Sequence, residues 1–188
     1  MIIWISGPTG AGKTTLARLL HASGYSIVEE NVPEKLFKAF ISDPNAYCAS
    51  LQHEIMQARF DGWQRVSSAS RVAFDRSIDE DIEVFCQMHW QHGRLSRDQL
   101  EALADFGRSL QKQMPEPDLI LFITSDQEVL LRRIEDLTRP RLILDSLRDQ
   151  ISLYAEWIQN RRGEIAEIDT SRLSEETLTQ FLKEIGPC

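Results

Sequence analysis

A chain of 188 residues, 42% hydrophobic and 27% charged, is long enough to bury a sizeable core as one globular domain. Its formal net charge of −8 argues against nonspecific nucleic-acid binding, so any phosphate site must be local, and no nucleic-acid partner is expected. Cys48, Cys86 and Cys188 show no metal-like spacing and read as reduced thiols of a cytoplasmic protein; residues 1–4 lack the basic segment of a signal peptide, and the apolar run at 119–123 is too short for a membrane span.

In chain order, Ile2-Ile3-Trp4-Ile5 predicts a short strand. It runs into Gly7-Pro8-Thr9-Gly10-Ala11-Gly12-Lys13-Thr14 and then a helical pattern with Leu16, Leu19 and Leu20. Strand, glycine-rich turn and helix together form the context of a phosphate-binding P-loop. The glycines let backbone N–H groups curl around a phosphate, and the helix start adds unpaired donors and a partial positive charge. Lys13 would reach the outer phosphates and the Thr14 hydroxyl would hold Mg²⁺. ATP and Mg²⁺ are therefore the expected cofactors. Gly7, Gly10, Ala11, Gly12, Lys13, Thr14 and Thr15 are the candidate nucleotide-binding residues.

Tyr25 to Val28 reads as a second strand, and Pro33 opens a helix to about Ile41. Asp43-Pro44-Asn45 is a turn signal before a long helix over about 46–68. A short strand over 71–74 follows. Ser77-Ile78-Asp79-Glu80 is a capping box starting a helix with Ile78, Ile82 and Phe85 on one face; Ser96 to Gln99 is a second box, and Pro115 and Pro117 stop its helix. Asp118 to Thr124 reads as a buried parallel strand, and Ser125 to Glu128 caps another helix. An arginine-rich segment, 132–141, precedes a helix with Leu144, Leu147, Ile151, Tyr154 and Ile158 in register. Glu164 to Asp169 is a weak last strand, and Leu178, Phe181, Leu182 and Ile185 make a closing amphipathic helix.

Strands alternating with helices imply an α/β fold with a parallel sheet covered on both faces. Such folds bind ligands at the carboxyl ends of their strands. Asp75-Arg76 sits at one such end, where the carboxylate can hold Mg²⁺ or its waters and the guanidinium a phosphate or attacking oxygen. Glu29 and Glu30 sit at another; one could accept a proton from a hydroxyl, or both could be solvated carboxylates. Gln52 and Arg59 share a helix face and could read the edge of a heterocycle, or could belong to a polar surface. Arg132, Arg133, Arg139 and Arg141 could close over a triphosphate, or form a basic loop. The four histidines show no ligand pattern and read as ordinary helix residues.

Together these motifs resemble the deoxynucleoside kinase family, most of all its bacterial deoxyadenosine and deoxyguanosine kinases. The resemblance runs through the P-loop, Glu30, the stretch from Asp43-Pro44 through Leu51-Gln52 to Arg59-Phe60, and Pro117-Asp118-Leu119-Ile120. It continues in Arg133-Ile134, Tyr154-Ala155-Glu156-Trp157 and Ile168-Asp169-Thr170. Phe74-Asp75-Arg76-Ser77-Ile78-Asp79-Glu80-Asp81 is its most specific part. It implies a P-loop kinase fold of five parallel strands, a single domain over 1–188 with a short arginine-rich lid at about 132–143, and a homodimer formed through helices.

The resemblance also implies roles. Glu30 would be the general base on a nucleoside 5′-hydroxyl, Arg76 would position that oxygen, and Asp75 would lie near Mg²⁺. Gln52, Arg59 and Asp81 would read the base, and Arg133 and Arg139 would belong to the lid over ATP. Asn31 stands where the family has proline, Leu137 where its lid has arginine, and Ile41 where it has a tyrosine; the glutamate that helps hold the sugar 3′-hydroxyl has no counterpart. The expected activity is phosphorylation of a deoxynucleoside by ATP, purine slightly favoured. A nucleoside monophosphate kinase and a non-catalytic nucleotide-binding module are the alternatives. A GTPase is disfavoured by the lack of an Asn-Lys-x-Asp sequence.

Overall fold

The computed structural model describes residues 1–136 and 140–171. Leu137, Arg139, Cys188 and the closing helix expected around Leu178 to Ile185 lie outside the described residues. The strands are β1 (Ile2–Ser6), β2 (Ser26–Val28), β3 (Val72–Asp75), β4 (Leu119–Thr124) and β5 (Ile165–Asp169). They form one all-parallel sheet in the order β2-β3-β1-β4-β5. In register, Trp4 of β1 lies beside Phe74 of β3 and Ile120 of β4.

Strand residues alternate between two cores, as the two-residue period requires. Ile3, Ile5, Leu121 and Ile123 pack with Leu16 and Leu20 of α1 (Lys13–Ala22) and with Leu130 and Ile134 of α7 (Gln127–Asp136). Trp4, Phe74, Ile120 and Phe122 pack on the other face with Leu153, Tyr154 and Trp157 of α9 (Leu147–Gln159). Helices therefore cover both faces, as alternating strand and helix patterns predict. A third core joins α2 (Glu34–Ser42), α3 (Pro44–Val66) and α6 (Arg97–Gln111). Among the described residues no helix is long and apolar enough to cross a membrane.

Three local features depart from the sequence reading. Asp43-Pro44 is a helix start rather than a free turn: the Asp43 carboxylate accepts from Ala46 N at 3.1 Å, and Pro44 occupies the first helical position. The expected helix after Ser77 is α4 (Ile78–Glu80) continuing through a π-helical turn (Asp81–Cys86) into α5 (Gln87–Gln91). Apolar spacing cannot distinguish that widened turn from an α-helix, and π-turns are frequent at functional sites. Arg132 and Arg133, expected in the lid, belong to α7. The capped helix carries on through them, and the short α8 (Arg141–Asp145) begins after Pro140.

Candidate active site

The P-loop leaves β1, the central strand, at the switch point of the sheet, where its two neighbours lie on opposite sides. Gly7, at φ +141°, lies so close to β4 that a Cβ would stand 2.2 Å from the Ile123 carbonyl oxygen. Only glycine fits there. Lys13 donates from Nζ to the Pro8 carbonyl at 2.9 Å, folding its side chain back over the loop. Burial, then the neighbouring Arg76, lowers the Lys13 ammonium to about 7.

The Thr14 hydroxyl donates to Asp75 Oδ2 at 3.1 Å, bringing together the two residues expected at the metal. Asp75 is buried, and its Oδ1 has no hydrogen-bond partner. A buried, unpartnered carboxylate oxygen beside a hydroxyl fits Mg²⁺, which takes oxygen ligands and is completed by waters and substrate phosphates. Among the described residues no group of three His, Cys, Asp or Glu stands together.

Arg76 stands next to Asp75 with φ +71°, a left-handed conformation that a non-glycine residue adopts at a cost of order 1 kcal/mol. Surrounding bonds hold it there. Its N–H donates to the Ile5 carbonyl at 3.1 Å, and Arg59 Nη1 donates to the carbonyls of Asp75 and Arg76 at 2.7 and 3.0 Å. The buried Arg76 guanidinium pairs with Glu30 at 2.8 Å, donates to the Gly7 carbonyl at 3.2 Å and to the Tyr154 hydroxyl, and lies 4.6 Å over the Phe85 ring. Burial works against its charge, but Glu30, Tyr154, Glu80 and Asp75 outweigh burial and raise its pKa above the usual arginine value.

Glu80 was legible only as a capping residue. In the structure it is fully buried beneath the P-loop. It accepts from Ser6 Oγ at 2.9 Å, from Ser77 N at 2.8 Å and from the Tyr154 hydroxyl at 2.8 Å. Burial raises its pKa against the opposing pull of Arg76. A tyrosine in an apolar helix stripe is the sequence signal for such a partner, since a buried hydroxyl needs one.

Glu30, Gln52, Arg76 and Asp81 line one cavity of about 810 Å³ together with P-loop residues 9–15 and Arg133. Gln52 is buried, and its Oε1 has no partner. Arg59 takes a different place from the other expected base readers. It is 1% exposed and makes four hydrogen bonds: two to Asp81, at 2.9 and 3.2 Å, and two to the carbonyls that fix Arg76. It stands behind Asp81 as a buried support.

Other clamps on the loop come from Gln150, which the sequence did not single out, and from Thr170 and Arg133, whose bonds to the loop it did not foresee. Gln150 of α9 accepts from the Thr9 amide at 3.2 Å and its hydroxyl at 3.0 Å. Thr170, just beyond β5, donates to the Ala11 carbonyl at 2.9 Å. Arg133 bonds the Gly10 carbonyl at 3.3 Å and the Thr170 carbonyl at 2.9 Å. The bonds to the loop itself join residues 123 to 159 positions apart, which local pattern cannot reveal.

The strand order, the P-loop at the switch point and the buried arginine beside it define a P-loop kinase fold. A deoxyadenosine kinase from M. mycoides with bound dATP shares that fold at a TM-score of 0.84 over 98% of each chain, with 20% identity. A family model described as deoxynucleoside kinase matches residues 3–185. Relatives include a deoxyadenosine kinase of Dictyostelium discoideum, 31% identical over 84% of this chain and 66% of that protein. Another is a deoxyguanosine kinase of Lactobacillus acidophilus, 30% identical over 74% of this chain and 64% of that protein. The matches thus span slightly under two thirds of the length of these two relatives. The chain belongs to the deoxynucleoside kinase family.

Proposed function

We propose that this chain transfers the γ-phosphoryl group of ATP to the 5′-hydroxyl of a deoxynucleoside, giving the 5′-monophosphate and ADP. The observation that carries this reading is the Glu30–Arg76 ion pair, 2.8 Å long, in the cavity that also holds the P-loop and Gln52. A carboxylate held by a buried guanidinium beside a triphosphate cradle is suited to receive the proton of an attacking hydroxyl. Arg76 then orients that oxygen and the incoming phosphoryl group. Lys13, the loop amides and Arg133 stabilise charge on the phosphates.

Thr14 and Asp75 would hold Mg²⁺, which neutralises triphosphate charge when bound. The Gln52 amide, whose Oε1 has no partner, can both accept from an exocyclic amine and donate to a ring nitrogen, as a purine offers, with Asp81 lining the same cavity. The names of the deoxyadenosine and deoxyguanosine kinases among the relatives point the same way. The same reading takes the chain as a homodimer in the cytoplasm, where ATP is supplied.

Glu30→Gln tests it. We expect kcat to fall about 100-fold or more, as loss of a positioned base does, with KM for ATP changed by less than about twofold. Equal losses in kcat and ATP affinity would remove Glu30 from the role of base.

A further inference from the structure

His89 and Arg94 line the same cavity, and the functions assigned above use neither. His89 is 5% exposed on α5, its ring packed edge-on against Phe40 with centroids 5.4 Å apart. Asp81, Phe85, Met88 and His89 all line the cavity, so His89 continues the helix stripe that begins with Asp81. Arg94 N donates to the His89 carbonyl at 2.9 Å, and Arg94 Nη1 meets His89 Nδ1 at 3.2 Å.

That second contact settles the tautomer. A guanidinium can only donate, so Nδ1 is the acceptor and the neutral ring carries its proton on Nε2. Burial, then Arg94, lowers the imidazole to about 3, which keeps it neutral at physiological pH. No carboxylate among the described residues forms an ion pair with Arg94; Asp149 of α9 pairs with His92 at 2.7 Å. The surrounding wall is apolar, with Phe37, Phe40, Met88 and Leu142. The Arg94 guanidinium and the His89 Nε2–H thus stand in this wall as hydrogen-bond donors. Such donors are best satisfied by a ligand oxygen.

We propose that His89 and Arg94 form a donor pair for the secondary hydroxyl oxygen of the acceptor's sugar. A hydroxyl oxygen has two acceptor lone pairs, one for each of these donors, while the phosphates on the same reading lie at the P-loop. The inference rests on the nucleoside kinase reading above.

The test compares kcat/KM for deoxyadenosine and 2′,3′-dideoxyadenosine, which lacks that oxygen, in the unsubstituted protein, His89→Phe and Arg94→Gln. Phenylalanine keeps the ring packing on Phe40, and Arg94 is half-exposed, so its replacement spares the fold. The unsubstituted protein should prefer deoxyadenosine by roughly tenfold or more, since a site built to bond a hydroxyl discriminates against its absence. Each variant should shrink that ratio at least about fivefold, with KM for ATP within about twofold. A ratio near one in the unsubstituted protein, or an unchanged ratio in both variants, overturns the inference. Failure of the unsubstituted protein to phosphorylate any nucleoside overturns the kinase reading beneath it.

Discussion

Arg59→Met distinguishes a residue that reads the substrate from one that holds the site together. Arg59 and Asp81 are both almost fully buried, and two hydrogen bonds join them. Burial raises the Asp81 pKa, and Arg59 opposes that rise. Without the guanidinium the carboxylate would be an uncompensated buried charge, and it can escape by taking up a proton. Protonating an aspartate of unfolded pKa about 3.9 at pH 7 costs about 4 kcal/mol, which caps that part of the loss. Two carbonyls also lose their bonds from Nη1, at about 1 kcal/mol each.

The sum, about 5–6 kcal/mol, is comparable with the whole stability of many domains. In Arg59→Met/Asp81→Asn the carboxylate penalty disappears and about 2 kcal/mol remains. The pH dependence carries its own sign. In Arg59→Met the folded Asp81 pKa lies above the unfolded value, so the penalty is present at neutral pH and fades as pH falls toward 4. Urea unfolding of the three proteins at pH 7 and pH 5, followed by fluorescence of the four tryptophans, measures this directly. A single substitution costing under about 1 kcal/mol, or one no more harmful than the double, would refute the reasoning.

Two further outcomes follow from the geometry. Gly7→Ala would place a methyl 2.2 Å from the Ile123 carbonyl and force a φ of +141° on alanine, so ATP binding measured by calorimetry should be lost and Tm lowered; retention of both would contradict the close approach of loop and β4. His89 has a folded pKa of about 3, below its unfolded value, so it opposes folding as pH falls below about 6.5. Relative to His89→Phe, the unsubstituted protein should lose roughly 1.5 kcal/mol more between pH 6.5 and pH 5 in urea titrations, and parallel losses would show the imidazole to be solvated.

Much of the fold is legible because it is written locally. The alternation of Ile3, Trp4 and Ile5, and of Leu119 to Ile123, divides between the two sheet faces as a buried parallel strand requires. Both capping boxes, at Ser77 and Ser96, start helices where the sequence places them. The π-turn at Asp81–Cys86 was not legible, because one extra residue in a turn leaves the apolar pattern almost intact. The support around Arg76 was hidden for another reason. Arg59, Tyr154 and Gln150 reach it or the P-loop from distant helices, Tyr154 also bonding Glu80, and these links exist only after the sheet has assembled. His89 shows the limit most clearly, since only folding reveals that its helix face lines the cavity.

The central claim is best tested by ADP release from ATP and Mg²⁺ in the presence of deoxynucleosides, ribonucleosides and nucleoside monophosphates, with an acceptor-free control. We expect acceptor-dependent turnover with a deoxynucleoside, purines favoured, and little without acceptor. Turnover with monophosphates alone, or ATP binding with no acceptor phosphorylated, would contradict the account.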